Sequence, residues 1–129
     1  MSIIDVINSL EEIISTGGTS EKDIINAEQE LSVSFSEEYK IFLTEFGSVL
    51  ADDVEIVGIA KAKNRNVVEV TKRERELNEA IPHNLYVVEN TGIEGIIIWQ
   101  DENGVIFQSS PNKSPEKISN SLAEYISGK

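Results

Sequence analysis

The chain offers 23 carboxylates, one histidine and no cysteine for chemistry. Paired carboxylates can serve as acid and base in glycoside hydrolysis. In oxygen-rich loops they can hold calcium. Neither pattern stands out, because acids are so numerous that two near neighbours carry no information. Asp101-Glu102-Asn103 is rich in oxygen but too short for a calcium loop, and it reads as a polar hairpin tip. His83 follows Pro82 at the entry to an expected strand, with no nucleophile motif around it. A turn or surface role suits it better than general-base work. No Gly-x-Ser-x-Gly elbow and no phosphate-cradling glycine loop is present. Gly92 and Gly95 lie between and within strands, where turn and packing roles explain them. The expectation is a non-enzyme, with no catalytic residue, metal site or cofactor.

Net charge is −12 and unevenly spread. Residues 1–60 hold 13 acids and 2 bases, whereas residues 61–75 hold 2 acids and 6 bases. An acidic field repels phosphate backbones, which argues against direct nucleic-acid binding. It attracts a basic partner and speeds encounter, although simple solubility is the readier explanation from charge alone. The basic segment reads as a solvated helix face pairing with neighbouring acids.

At 129 residues the chain fits one domain, 1–129. The absence of cysteine excludes disulfides and thiolate zinc sites. The N-terminus lacks a basic segment before its apolar residues, so it does not resemble a secretory signal. No apolar run approaches the length of a membrane span. A soluble cytoplasmic protein is expected.

Apolar spacing supplies the elements that must position any site. Ile3, Ile4, Ile7, Leu10 and Ile14 recur at helical spacing up to Gly17-Gly18. Ser20 offers an N-cap to a second helix whose stripe is Ile24, Ala27 and Leu31. Glu28 falls on that stripe and must reach a donor at the core edge or stay at the rim. Ser34 with Glu37 forms a capping-box pattern for a third helix, and Ser36 competes with it. That helix buries Tyr39, Phe42, Leu43 and Phe46 and stops at Gly47. A strand is expected over residues 54–59. A helix follows near 67–77, with Val67, Val70 and Leu77 inward and Arg73 and Arg75 outward. Strands are expected over 85–89, 93–100 and 105–109. The turn Asn103-Gly104 joins the last two. Ser114 and Pro115 open a last helix carrying Ile118, Leu122, Tyr125 and Ile126. The sum is α+β: N-terminal and C-terminal helices packed on a mostly antiparallel sheet with a three-strand C-terminal meander.

Within the meander, Ile96 and Ile98 share one face of a strand, and Ile97 and Trp99 share the other. Two apolar faces fit a central strand covered on both sides. The alternative is helices on one face only, which would leave Trp99 and Ile97 as an exposed binding patch or a homodimer surface.

The stretch from Ser20 to Gly47 resembles the signature of the SUKH superfamily, the Smi/Knr-like proteins, named partly for a yeast regulator of cell-wall synthesis. Glu28 and Leu31 match its first helix, and Tyr39, Phe42-Leu43 and Gly47 match its second. Phe35-Ser36 stands where the family carries leucine-proline. Further along, Ile56-Val57-Gly58 resembles the family's Ile-x-Gly element. Pro82, Leu85 and Val87 resemble its Pro-x-x-Leu-x-Val strand. Gly95 matches a glycine before the next strand's core, and Trp99 sits where members often carry an aromatic. The order agrees from about Ser20 to Ser127.

The resemblance implies a protein-binding role without an active site. Bacterial members are mostly immunity proteins that bind and neutralise a cognate polymorphic toxin domain, often a nuclease. Eukaryotic members look like interaction modules in the regulation of wall synthesis. A basic toxin domain is the partner that the acid surplus would suit, with no direct nucleic acid and no membrane. The surface expected to meet it comprises Asp52, Asp53, Glu94, Trp99, Asp101 and Glu102. Glu28, Leu31, Tyr39, Phe42, Leu43, Gly47, Gly58 and Gly95 are expected to be structural.

Overall fold

Serine and asparagine caps set most helix starts in the computed structural model, which describes residues 1–51 and 53–129. Ser2 caps α1 (Ile3–Asn8), and Ser20 caps α2 (Glu21–Leu31) by accepting from the Asp23 amide at 3.2 Å. Ser36, rather than Ser34, caps α3 (Glu37–Phe46), accepting from the Tyr39 amide at 3.0 Å. Asn66 caps α4 (Val67–Leu77), following a 3-10 turn at Lys63–Arg65. Ser121 caps α5 (Leu122–Ser127).

Two antiparallel sheets share one hydrophobic core with these helices. The smaller has the order β1 (Ile14–Ser15), β2 (Val49–Ala51), β3 (Val54–Ile56). The larger is a meander of β4 (Tyr86–Asn90), β5 (Ile97–Gln100), β6 (Ile106–Ser109) and β7 (Glu116–Ser119). The Val57 amide donates to the Val88 carbonyl at 2.9 Å and links the end of β3 to β4.

The larger sheet is covered on both faces. Ile97, Ile98, Trp99 and Gln100 are all buried. Trp99 shares its face with Ser109, whose hydroxyl accepts from the indole N–H at 2.8 Å, and α4 packs on that side. Gln100 and Tyr86 face α3 and α5 on the other side. Trp99 is 1% exposed, so the covered-strand expectation holds and no apolar patch exists there.

Several expected elements differ. The first helix stops at Asn8, and Ile14 pairs with Leu50 as a strand. The strand expected from Ile93 begins only at Ile97, because a turn closed by Ile96 N–H donating to the Ile93 carbonyl occupies the residues before it. The helix expected from Pro115 is instead β7, paired with β6, and helix resumes at Leu122. Leu77, expected inside, is 68% exposed at the last position of α4. Arg75, expected outside, turns inward and donates to the carbonyls of Leu31, His83 and Leu85 at 3.2, 2.7 and 3.4 Å.

Two glycines fix how the α3 end meets the following chain. Gly47 ends α3 with φ +74°, a left-handed value that glycine tolerates. Its carbonyl accepts from Ile59 at 3.2 Å, and a Cβ on Gly58 would overlap that same oxygen. Gly58 in turn donates to Arg65 and accepts from Val67 at 3.0 and 2.7 Å, which seats the start of α4. Gly58→Ala should therefore destabilise the protein by about 2–3 kcal/mol in urea unfolding at unchanged m. A loss below about 0.5 kcal/mol would mean that the Gly47 carbonyl withdraws freely.

Candidate partner-binding surface

The residues expected to meet a partner fall into three places. Asp52 lies outside the described residues. Asp53, at the β2–β3 turn, and Glu94, in the β4–β5 turn, are exposed. Asp101 and Glu102 follow β5 at its other end, so four strand residues, roughly 13 Å of chain, separate them from the Glu94 turn. Glu102 is exposed, but one Asp101 carboxylate oxygen accepts from the Asn103 and Val105 amides at 2.9 and 3.0 Å and shapes the hairpin tip. Trp99 is buried between these ends and offers no surface. The five described positions therefore do not form one patch. His83 is exposed in a turn, where its carbonyl serves Arg75.

At the Asp101–Glu102 end lies a buried polar hub. Gln100 Oε1 accepts from Ser36 Oγ at 3.0 Å and from Tyr86 Oη at 2.8 Å. Tyr86 Oη accepts from the Ser36 amide at 3.0 Å. Gln100 Nε2 donates to Glu38 Oε1 at 2.9 Å and to the Gly104 carbonyl at 3.1 Å. The Glu38 carboxylate then takes the Leu122 and Ala123 amides at 2.7 and 3.0 Å, satisfying the first turn of α5. Glu38 is thus half-buried against the start of α5, not on the outer face of α3 that its neighbours suggest.

A fully buried carboxylate, Glu89, sits at the Asp53–Glu94 end. A bulge between Val87 and Glu89 sets Val87 opposite Trp99 and Glu89 opposite Ile98. Directly opposed residues share a face, so the bulge carries Glu89 off the Trp99 face and toward α5. There Tyr125 Oη donates to it at 2.6 Å and the Glu55 amide at 3.0 Å. Lys129 completes the site with an ammonium 2.8 Å from Oε1. Among the described residues no three His, Asp or Glu side chains are gathered as a metal site.

The family described as SMI1-KNR4 cell-wall, SUKH_5, matches residues 3–128. The chain belongs to the SUKH family. A crystal structure of a protein from Pseudomonas syringae pv. tomato is similar over 95% of this chain and 94% of that one, with a TM-score of 0.74 and 18% identity. At that identity the likeness speaks for the fold alone. No curated protein matches the chain in sequence.

The residues that carry the SUKH resemblance have visible packing tasks. The Glu28 carboxylate accepts from the Phe35 amide at 2.8 Å and pins the α2–α3 connection. Tyr39 donates to the Val57 carbonyl at 2.7 Å across the core. Leu31, Phe42 and Leu43 are buried, and the Leu43 carbonyl takes the Thr19 and Gly47 amides at 2.9 and 3.0 Å. Gly95 lies against Pro111, where a Cβ would come within 2.8 Å of the ring. Sequence reading missed Glu38, Glu89 and Gln100. The available signal was a polar residue closing an apolar strand, as in Val87-Val88-Glu89 and Ile98-Trp99-Gln100.

All three tyrosines of the chain hold their protons unusually tightly. Burial pushes Tyr39 and Tyr86 upward, and it pushes Tyr125 upward with help from the Glu89 hydrogen bond and charge. An unfolded tyrosine ionises near 10. Above that pH the unfolded chain loses protons that the folded chain keeps, so stability present below pH 10 must fall as pH rises. Absorbance at 295 nm should show no tyrosinate in the native protein at about pH 10, then all three together as it unfolds. A native tyrosine titrating normally would contradict this burial.

Proposed function

We propose that this chain is a non-enzymatic protein-binding domain acting as an immunity protein that binds and neutralises a basic toxin domain. The observation that carries the reading is an acid surplus the fold does not consume. Glu30, Glu37, Glu55, Glu74 and Glu89 make ion pairs. Glu21, Asp23, Glu45, Asp53, Glu94 and Glu102 are exposed and make none among the described residues. Such a field speeds encounter with a basic surface, and nuclease domains are basic because they approach phosphates. The basic segment, by contrast, is partly paired within the chain, much of it at the surface. Arg65 pairs with Glu55 at 3.8 Å, Lys72 with Glu30 at 3.1 Å, and Arg75 serves backbone carbonyls. Lys61 and Lys63 stay exposed and unpaired among the described residues, a small basic spot against a net charge of −12.

The Asp53–Glu94 end is the contact we favour, because it joins both acids to Ile93, which is 61% exposed. A second reading, an interaction module in cell-wall regulation without a toxin, is favoured by the cell-wall description of the matched family.

The direct test is rescue. The C-terminal domain of a large secreted protein encoded beside this chain should arrest growth alone and not when this chain is co-expressed. Arrest without rescue, or no arrest, would favour the regulatory reading. With a purified pair, Asp53→Lys with Glu94→Lys should weaken binding about tenfold or more. Glu102→Lys, at the far end of β5, should change it less than about threefold. The reverse ranking would move the interface to the hairpin tip.

A further inference from the structure

The Glu89 site already displays what it recognises. Glu89 is 3% exposed, and its inner hydrogen bonds come from Tyr125 and the Glu55 amide. The Lys129 ammonium stands 2.8 and 3.0 Å from the two carboxylate oxygens and 2.8 Å from the Asp53 carbonyl oxygen. It also lies 5.4 Å from the centre of the Tyr125 ring. An ammonium has three N–H donors on one centre. Here they meet three oxygens, with an aromatic face alongside. The arrangement suits a point charge rather than the flat fork of a guanidinium. The site opens on a cavity of about 330 Å³ bordered by Asp53, Asn90, Thr91 and Ile93. Asp53 and Glu94, both exposed at this end, favour a cation at its mouth.

We propose that this is a receptor for a primary ammonium, and that a lysine side chain of the basic partner replaces Lys129 there on binding. The lysine rests on the reading of a basic protein partner; the ammonium site itself does not. A buried carboxylate left without a cation is strongly destabilising. One ammonium exchanged for another leaves Glu89 compensated in both end states, and the hydration that Lys129 regains offsets what the incoming ammonium loses. Lys129 lies beyond the end of α5 and bonds through its ammonium to Glu89 and Asp53, so its release breaks no helix or strand.

The test needs no partner. In Lys129→Ala the seat is vacated, and n-butylammonium chloride should raise Tm by about 3 °C or more beyond sodium chloride at equal ionic strength. Lys129→Ala combined with Glu89→Gln should respond equally to both salts. An equal response to both salts in Lys129→Ala itself overturns the proposal. If Lys129→Ala does not fold, the wild-type protein carries the test through its Tyr125 ring resonances during the same titration. A saturable shift with n-butylammonium, absent with tetramethylammonium, supports displacement of Lys129; a linear drift common to both overturns it. Failure here with successful toxin rescue would remove the ammonium seat and leave the immunity reading standing. Success here with failed rescue would do the opposite.

Discussion

The side chain of Gln100 ties together the parts of the molecule that have no covalent reason to meet. Its carbonyl oxygen takes the hydroxyls of Ser36 and Tyr86, and its amide nitrogen reaches Glu38 and the β5–β6 hairpin. Glu38 passes the connection on to the first turn of α5. The start of α3, two strands, a hairpin and the last helix therefore share one set of donors and acceptors. Buried polar groups are costly unless partnered, and a network that satisfies its members specifies one arrangement. The T-shaped packing of Phe35 on Tyr39 and Tyr86 surrounds the hub with apolar surface and keeps water from competing.

This hub divides the carboxylates into two populations with different work. Glu28, Glu38, Glu89 and Asp101 accept backbone or side-chain hydrogen bonds and hold segments in place. The exposed acids Glu21, Asp23, Glu45, Asp53, Glu94 and Glu102 make no ion pair among the described residues and set the external field. Only this second population is free to act on a partner at a distance. A protein whose interior is already satisfied can carry such a field without an active site, since steering asks for charge and shape rather than reactive groups.

Local chemistry made much of the fold legible. The Ser20 cap and the Ile24–Ala27–Leu31 stripe yield α2, and the apolar runs with Asn103-Gly104 yield the core of the meander. Illegible parts were decided by partners distant in sequence. Ser36 displaces Ser34 as the α3 cap because the hub already holds its hydroxyl and amide. Residues 116–119 become β7 because pairing with β6 outweighs a Ser-Pro start signal, and Ile118, read as a helix-stripe residue, stays 43% exposed. The true α5 start was visible as the Ser121-x-x-Glu124 capping pattern, masked by the earlier serine. For the candidate surface, exposed turns placed Asp53, Glu94 and Glu102 as expected on the outside. The apolar pattern on both faces of β5 fits burial of Trp99 or an exposed patch, and α4 decides for burial by covering that face.

The central claim is that free surface acids, not an active site, perform the function. It is tested most directly by the association rate of this chain with the proposed basic toxin domain across a range of ionic strength. Electrostatic steering predicts a rate that falls steeply, by about tenfold or more, as salt screens the acids. A rate indifferent to salt would contradict the account and place recognition in apolar contacts alone.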